Sequence, residues 1–230
     1  MANILALDSS TDACSVALSF NGKRFETFKV IPRQHTQQML PMVEALMAEA
    51  GANFDELDAV AFGRGPGSFA GIRIATGCAQ GIAYAVGCDV LPVSTLASIA
   101  LQIEANDGDY VAASLDARMN EVYVASYRME AGLPVALDNE RVCAPADVAL
   151  AACGDDQQFL VAGAGWAYLD DMPAAVQAQV KKVEGDYYPA AAAMLTLALN
   201  DWDAGLAVAA HEAAPVYLRD EVAWKKKDQQ

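Results

Sequence analysis

The sequence predicts an α/β protein built of two tandem lobes related by internal duplication. Three observations carry this. The chain has 230 residues, 54% of them hydrophobic, enough to fill two lobes of roughly 100 residues each. Apolar runs of strand length are interleaved with longer helical segments along the whole chain. The order of elements also repeats: each half runs strand, Asp-containing turn, strand, strand, helix, strand, glycine loop, helix. The expected lobes cover residues 1–105 and 106–205. A tail at 206–230 follows, and its Val216-Tyr-Leu-Arg219 stretch is a candidate to return to lobe one.

In lobe one, residues 4–7 form a strand entering the turn Asp8-Ser-Ser-Thr11. Residues 14–20 and 23–30 form a hairpin around Asn21-Gly22, a strong two-residue turn signal. Residues 36–50 read as a helix closed by Gly51, with Pro41 near its first turn or kinking it. Residues 57–62 make a buried strand, 71–86 a helix, 89–92 a short strand and 95–104 a helix. After Asn106-Asp-Gly108 the pattern restarts. Residues 110–115 and 122–129 are strands, 132–134 a turn, 145–152 a helix, 159–162 a strand entering Gly163-Ala-Gly165, and 189–199 a helix. A few letters repeat as well. Leu7-Asp8 matches Leu115-Asp116 and Val16-Ala17 matches Val124-Ala125 at an offset of 108, and Gly63-Arg-Gly65 matches Gly163-Ala-Gly165 at an offset of 100. Two such lobes facing one cleft describe the architecture of actin-like ATPases and sugar kinases, which establishes a fold and no activity.

The stretch GRGPGSFAGIR, residues 63–73, poses the main chemical question. Its glycines could let successive N–H groups cradle a phosphate at the start of the following helix. The lysine of a P-loop is absent, and the dinucleotide spacing GxGxxG fails. Ser68 does not sit in GxSxG, because Pro66 and Ala70 occupy the flanking positions. His35 and His211 are the chain's two histidines, and neither has a local partner pattern for base catalysis. No catalytic residue is assigned. Two distant histidines and scattered cysteines give no metal-ligand spacing. Asp8 and Asp116 would either hold a magnesium ion through water in an actin-like cleft or cap their own turns. The candidate nucleotide contacts, vestigial or shared with a partner, are Asp8, Ser9, Arg64, Gly65, Gly67 and Asp116.

The formal charge of -15 opposes direct binding to nucleic acid or anionic membranes. The basic run Lys225-Lys226-Lys227 reads as a solvated end. Five cysteines without CxxC spacing imply a reducing compartment, the cytoplasm. The start MANILALDSSTDA has no basic region before its apolar run and does not read as a signal peptide. The longest uncharged run, residues 74–88, is too short to span a bilayer.

Residues 36–50 carry Met39, Leu40, Met42, Val43, Leu46 and Met47, apolar over more than one narrow stripe. Residues 71–87 carry small residues that permit close helix approach, beside Ile74, Cys78 and Ile82. The surplus either meets another helix pair or reflects two-sided burial within the lobe.

Taken together, ILALDSSTDACSVAL, PRQHTQQMLPMV, AFGRGPGSFAGIRIATGCAQGIA, PVSTL, LDARMNEVY and PVYLRDEVAWKK closely resemble the TsaB (YeaZ) family. The matches span residues 4–227. The resemblance implies a degenerate actin-like fold and a role in forming threonylcarbamoyladenosine beside the tRNA anticodon. It implies a non-catalytic partner that pairs with TsaD, is joined by the ATPase TsaE, reaches tRNA only through the complex, and forms a homodimer when alone. TsaD carries paired metal-binding histidines after the strand that follows its glycine-loop helix. Here that stretch, Val93-Ser-Thr-Leu-Ala-Ser-Ile99, has none. The resemblance implies that these two helices form the partner interface, and their apolar surplus points to Met39, Met42, Val43, Leu46, Ile74, Cys78 and Ile82 as its residues. It implies no intrinsic cofactor, with ATP or ADP at most at an interface with partners. Stand-alone ATPase activity and peptidase activity on TsaD are the competing expectations.

Overall fold

The computed structural model describes residues 1–151, 158–185 and 187–219. In lobe one, β1 (Ile4–Asp8), β2 (Ala13–Phe20) and β3 (Lys23–Val30) form an antiparallel meander. Its second turn uses Asn21 and Gly22, both at positive φ (49° and 76°), as a twisted two-residue hairpin demands. Helix α1 (His35–Ala50) ends on Gly51 in the left-handed region. Pro41 lies in its second turn on the exposed side, where the carbonyl it leaves unbonded faces water. Strand β4 (Ala59–Gly65) leads through the glycine loop into α2 (Phe69–Val86), and β5 (Asp89–Ser94) completes the sheet. The strand order is β3-β2-β1-β4-β5, with β1, β4 and β5 parallel.

Lobe two repeats this path. Strands β6 (Tyr110–Arg118), β7 (Glu121–Glu130) and β8 (Leu133–Ala136) form the meander, and β9 (Arg141–Cys143) adds to β7. Strand β10 (Phe159–Ala162) lies parallel to β6, and β11 (Val180–Gly185) parallel to β10. The order β8-β7-β6-β10-β11 thus mirrors β3-β2-β1-β4-β5. Between β10 and β11 lie a 3-10 segment (Ala164–Asp171) and the short α4 (Ala174–Gln179).

The repeated letters are equivalent positions only in part: Val16-Ala17 and Val124-Ala125 face the same layers of their lobes, but the Leu7-Asp8 and glycine matches do not. In lobe one, Leu5, Leu7, Val60 and Phe62 face the helix that follows β4. In lobe two, Ala112, Phe159 and Val161 face the helical segment that follows β10. Odd positions of β1 therefore correspond to even positions of β6. Side chains alternate faces with a period of two, so the even offset of 108 puts Leu115 on the opposite face from Leu7, and the even offset of 100 likewise mismatches β4 and β10. The duplication resides in the topology.

The two lobes exchange helices. Helix α3 (Thr95–Ala100), which ends the first half of the chain, packs Leu96, Ile99 and Ala100 against Val111, Ala113 and Leu115 of β6. Helix α5 (Ala191–Asp203), which ends the second half, packs Met194, Leu195 and Ala198 against Ile4, Ala6, Ala59 and Ala61. The lobe-one sheet is thereby covered on both faces, which is why its central strands are continuously apolar. By packing, α5 belongs to lobe one although it falls inside the span 106–205. The tail also returns to lobe one: Val208 bridges Val90 of β5, and Ala210 joins the lobe-one core.

Local expectations fail at four places. The turn expected at 132–134 sits at Ala131-Gly132, and Leu133-Pro134 open an edge strand where proline is tolerated. The helix expected at 145–152 is a single 3-10 turn (Pro145–Asp147) followed by extended Val148; residues 152–157 lie outside the described residues, as do Lys225, Lys226 and Lys227. The helix beginning at Thr95 stops at Ala100. Strands β8, β9 and β11 carry no sequence signal strong enough to separate them from loops. No helix among the described residues is long and apolar enough to cross a membrane.

Candidate functional site

Two surface features stand out: a cleft of about 770 Å³ between the lobes and an apolar depression of about 510 Å³ on α2. The glycine loop borders the cleft, and its glycines serve close packing of the chain on itself. A Cβ on Gly63 would lie 2.0 Å from Asp8 Oδ2, and a Cβ on Gly71 would lie 1.9 Å from the Ser9 carbonyl oxygen. The Ser68 N–H donates to Ser10 O (2.6 Å), and Ser9 Oγ donates to Gly71 O (2.8 Å). The loop is clamped onto the Asp8–Thr11 turn. Ser68 itself is the N-cap of α2, accepting from the Gly71 N–H.

Asp8 is fully buried. Its Oδ1 accepts from the N–H and Oγ of Ser10 (3.0 and 2.9 Å), and its Oδ2 has no partner. Desolvation pushes its carboxyl up from 3.8 to about 7, against the pull of the two Ser10 bonds. Asp8 and Ser9 are both fully buried and neither lines the cleft. Asp116 does line it, but its carboxylate accepts from the Arg118 N–H (2.7 Å) and Nη1 (3.1 Å). These are turn-capping contacts. Arg64 is likewise committed, pairing with Glu140 of lobe two at 2.9 Å, and Ser94 Oγ donates to the same carboxylate. Of the candidate nucleotide contacts, only Gly67 and Asp116 border the cleft. Gly65 is backed by Val216 O, 3.1 Å from where its Cβ would stand.

His35 is buried, with Nε2 3.2 Å from Ala13 O, and His211 is exposed in a 3-10 turn; neither is bonded to Ser68. Among the described residues, no three His, Cys, Asp or Glu side chains are grouped to hold a metal ion. Cys14, Cys78, Cys88 and Cys143 are free. Burial pushes all four thiols up, that of Cys14 to about 12. Cys153 lies outside the described residues.

The expected partner interface divides. Met39, Met42, Val43 and Leu46 are turned into the lobe-one core, each at most 3% exposed. As placed here they offer no surface, because α1 uses its wide apolar side to cover its own sheet. Ile74, Cys78 and Ile82 are half-buried on α2. Cys78 and Ile82 line the depression with Leu40, Phe54, Gly77, Gly81, Ala85 and Val86. Leu40, 47% exposed, is the α1 residue that contributes there, and it was not among the expected interface residues. A Cβ on Gly77 or Gly81 would meet nothing within 4 Å.

Residues 29–227 match the family model described as TsaD: tRNA N6-adenosine threonylcarbamoyltransferase. The chain is 39% identical to the tRNA threonylcarbamoyladenosine biosynthesis protein TsaB of Escherichia coli, over 97% of both chains. It is 38% identical to that of Haemophilus influenzae, over 97% of this chain and 96% of the other. The chain belongs to the TsaB family. Two solved structures from Pseudomonas aeruginosa agree with the fold. One is described as YeaZ (43% identity, TM-score 0.88) and one as an uncharacterized protein with similarity to peptidase YeaZ (42%, 0.89). Each matches over 95% of this chain and 100% of its own. With TsaB relatives and YeaZ neighbours spanning nearly its whole length, the chain has the two-lobed, actin-like architecture of that family.

Proposed function

We propose that this chain acts in the formation of threonylcarbamoyladenosine in tRNA as a non-catalytic pairing subunit that binds and activates TsaD. One observation carries the pairing: the apolar depression on α2 is floored by Gly77 and Gly81, where an added Cβ would meet no atom of the described residues within 4 Å. A glycine inside a helix costs roughly 0.5–1 kcal/mol relative to alanine. Two of them facing open space, ringed by Leu40, Cys78, Ile82 and Val86, fit a second helix pair approaching the backbone closely. TsaD is the favoured occupant, with a second copy of this chain taking its place when TsaD is absent. TsaE joins the assembly, and tRNA is reached through the partners, in keeping with the charge of -15. Asp8 is sealed, Asp116 is paired and the Ser68 hydroxyl has no histidine partner, so activity from the chain's own cleft is disfavoured. A nucleotide, where one takes part, sits at a surface shared with a partner.

The test is reconstitution from tRNA, a supply of threonylcarbamoyl-AMP, TsaD and TsaE, with and without this chain, read by nucleoside mass spectrometry. Product that requires the chain, and survives Asp8→Ala combined with Asp116→Ala, is expected. Equal product without the chain overturns the reading.

A further inference from the structure

We propose that residues 215–219 form a strap by which the chain closes its own interlobe cleft. Val216, Tyr217, Leu218 and Arg219 all line that cleft, and they are tied to both lobes. On lobe one, the Val216 N–H donates to Arg64 O at 2.8 Å. Tyr217 Oη accepts from Arg73 Nε at 2.7 Å. The Arg73 guanidinium stacks 3.6 Å from the Phe69 ring centre, and the Phe69 and Tyr217 rings stand 5.7 Å apart. On lobe two, Arg219 Nη2 donates to Ala117 O at 3.2 Å and to the Glu121 carboxylate. Three residues of one segment thus hold opposite walls.

The segment grips the two walls at points already specialised. Phe69 and Arg73 lie in the first turns of α2. Ala117 and Glu121 flank the β6–β7 tip, where Arg118, Met119 and Asn120 run consecutively at positive φ (62°, 57° and 59°). That backbone is costly for residues other than glycine and persists only where its surroundings hold it. The strap is one of those surroundings. Its contacts are also partly wet: Tyr217 is 45% and Phe69 54% exposed. Exposed polar and cation–aromatic ties of this kind are individually weak, so the strap is releasable while the lobe cores stay intact. Release frees the α2 start and the β6–β7 tip together, opening the cleft. The Arg64–Glu140 bridge, which lies outside the cleft wall, remains to join the lobes.

Hydrogen exchange on the full chain tests this, because the Val216 amide reports the strap directly. In Tyr217→Ala combined with Arg219→Ala, amides at 117–121 and 216 are expected to exchange at least ten-fold faster, with β1 and β4 unchanged. Glu121→Gln approaches the same tie from lobe two and is expected to speed exchange at Val216. Unchanged exchange at Val216 and the β6–β7 tip in both variants overturns the strap. A uniform acceleration that includes β1 and β4 overturns it too, since that marks an ordinary packing role. The outcome is independent of whether the chain pairs with TsaD.

Discussion

Gly71 lies directly beneath Ser9. The Ser9 hydroxyl donates to the Gly71 carbonyl at 2.8 Å, while a Cβ on Gly71 would stand 1.9 Å from the Ser9 carbonyl oxygen. The contact is backbone against backbone, so no rotamer change relieves it. Gly71→Ala is therefore expected to destabilise the fold by about 3 kcal/mol or more, lowering Tm by roughly 6–12 °C. Gly77→Ala, six residues along the same helix and in open space, is expected to raise the stability of the isolated chain by about 0.5–1 kcal/mol. Thermal unfolding of the two variants side by side checks the contrast. Equal losses would show that the helix, rather than the Ser9 contact, governs both.

Asp8 makes stability depend on pH in a set direction. Its folded carboxyl titrates near 7 against 3.8 for an ordinary aspartate. The raised value means the folded state holds the proton more tightly. The stabilisation is complete below the unfolded value and is lost as pH rises through about 7. Between about pH 5.5 and about pH 8.5 this group alone should remove roughly 2 kcal/mol. Asp8→Asn keeps the shape and cannot ionise, so its urea midpoint should fall less over that interval. Parallel curves for the two proteins would refute the buried-carboxyl account.

Arg64 and Glu140 couple the lobes. Their side chains are 26% and 12% exposed, so removing Arg64 leaves a largely buried carboxylate held by the Ser94 hydroxyl. Arg64→Ala is expected to cost about 1–3 kcal/mol. A double-mutant cycle with Glu140→Gln should return a coupling of about 1 kcal/mol, measured by denaturant unfolding. A coupling near zero would mean that the pair positions the lobes without stabilising them.

Ile82 tests the pairing surface. It is half-buried, lines the α2 depression and lies away from the cleft. Ile82→Glu would place a carboxylate in a desolvated contact. Binding to TsaD is expected to weaken at least ten-fold in calorimetric titration, with the far-ultraviolet circular dichroism spectrum unchanged. Undiminished affinity would move the interface elsewhere. Met39→Glu is a poor probe of the same surface, since a charge inside the lobe-one core would unfold it.

Where structure follows from neighbours in sequence, it was legible. Asn21-Gly22, Gly51 and the β1, β2 and β10 runs announce their elements through turn chemistry and side-chain period. What was hidden depends on distant partners. Nothing in residues 95–100 says that α3 covers the other lobe's sheet, and nothing in residues 191–203 says that α5 comes back. The offset of 108 holds for Val16-Ala17, whereas for Leu7-Asp8, and for the glycines at an offset of 100, the sheet faces show the parity to be wrong. The glycines of residues 63–73 were readable as a phosphate cradle or as packing, and their close contacts with Ser9 and Ser10 were not visible in the sequence. Met39 and Ile82 both belonged to an apolar surplus, and burial alone separated core from surface. The return of Val216-Tyr-Leu-Arg219 was open to reading, but its ties of Tyr217 to Arg73 and of Arg219 to Glu121 were not, because those partners lie 144 and 98 residues away.

The exchange of α3 and α5 also constrains the order in which the chain can be completed on the ribosome. The first five strands are synthesised by Ser94, yet the sheet they form keeps one apolar face uncovered until α5 emerges about 100 residues later. At roughly 5–20 residues per second, that exposure lasts on the order of 5–20 s. Cutting the gene between residues 105 and 106 would make the exposure permanent, so neither half should be obtainable as a stable fragment. The nascent lobe-one sheet is the point at which a chaperone would have most to protect.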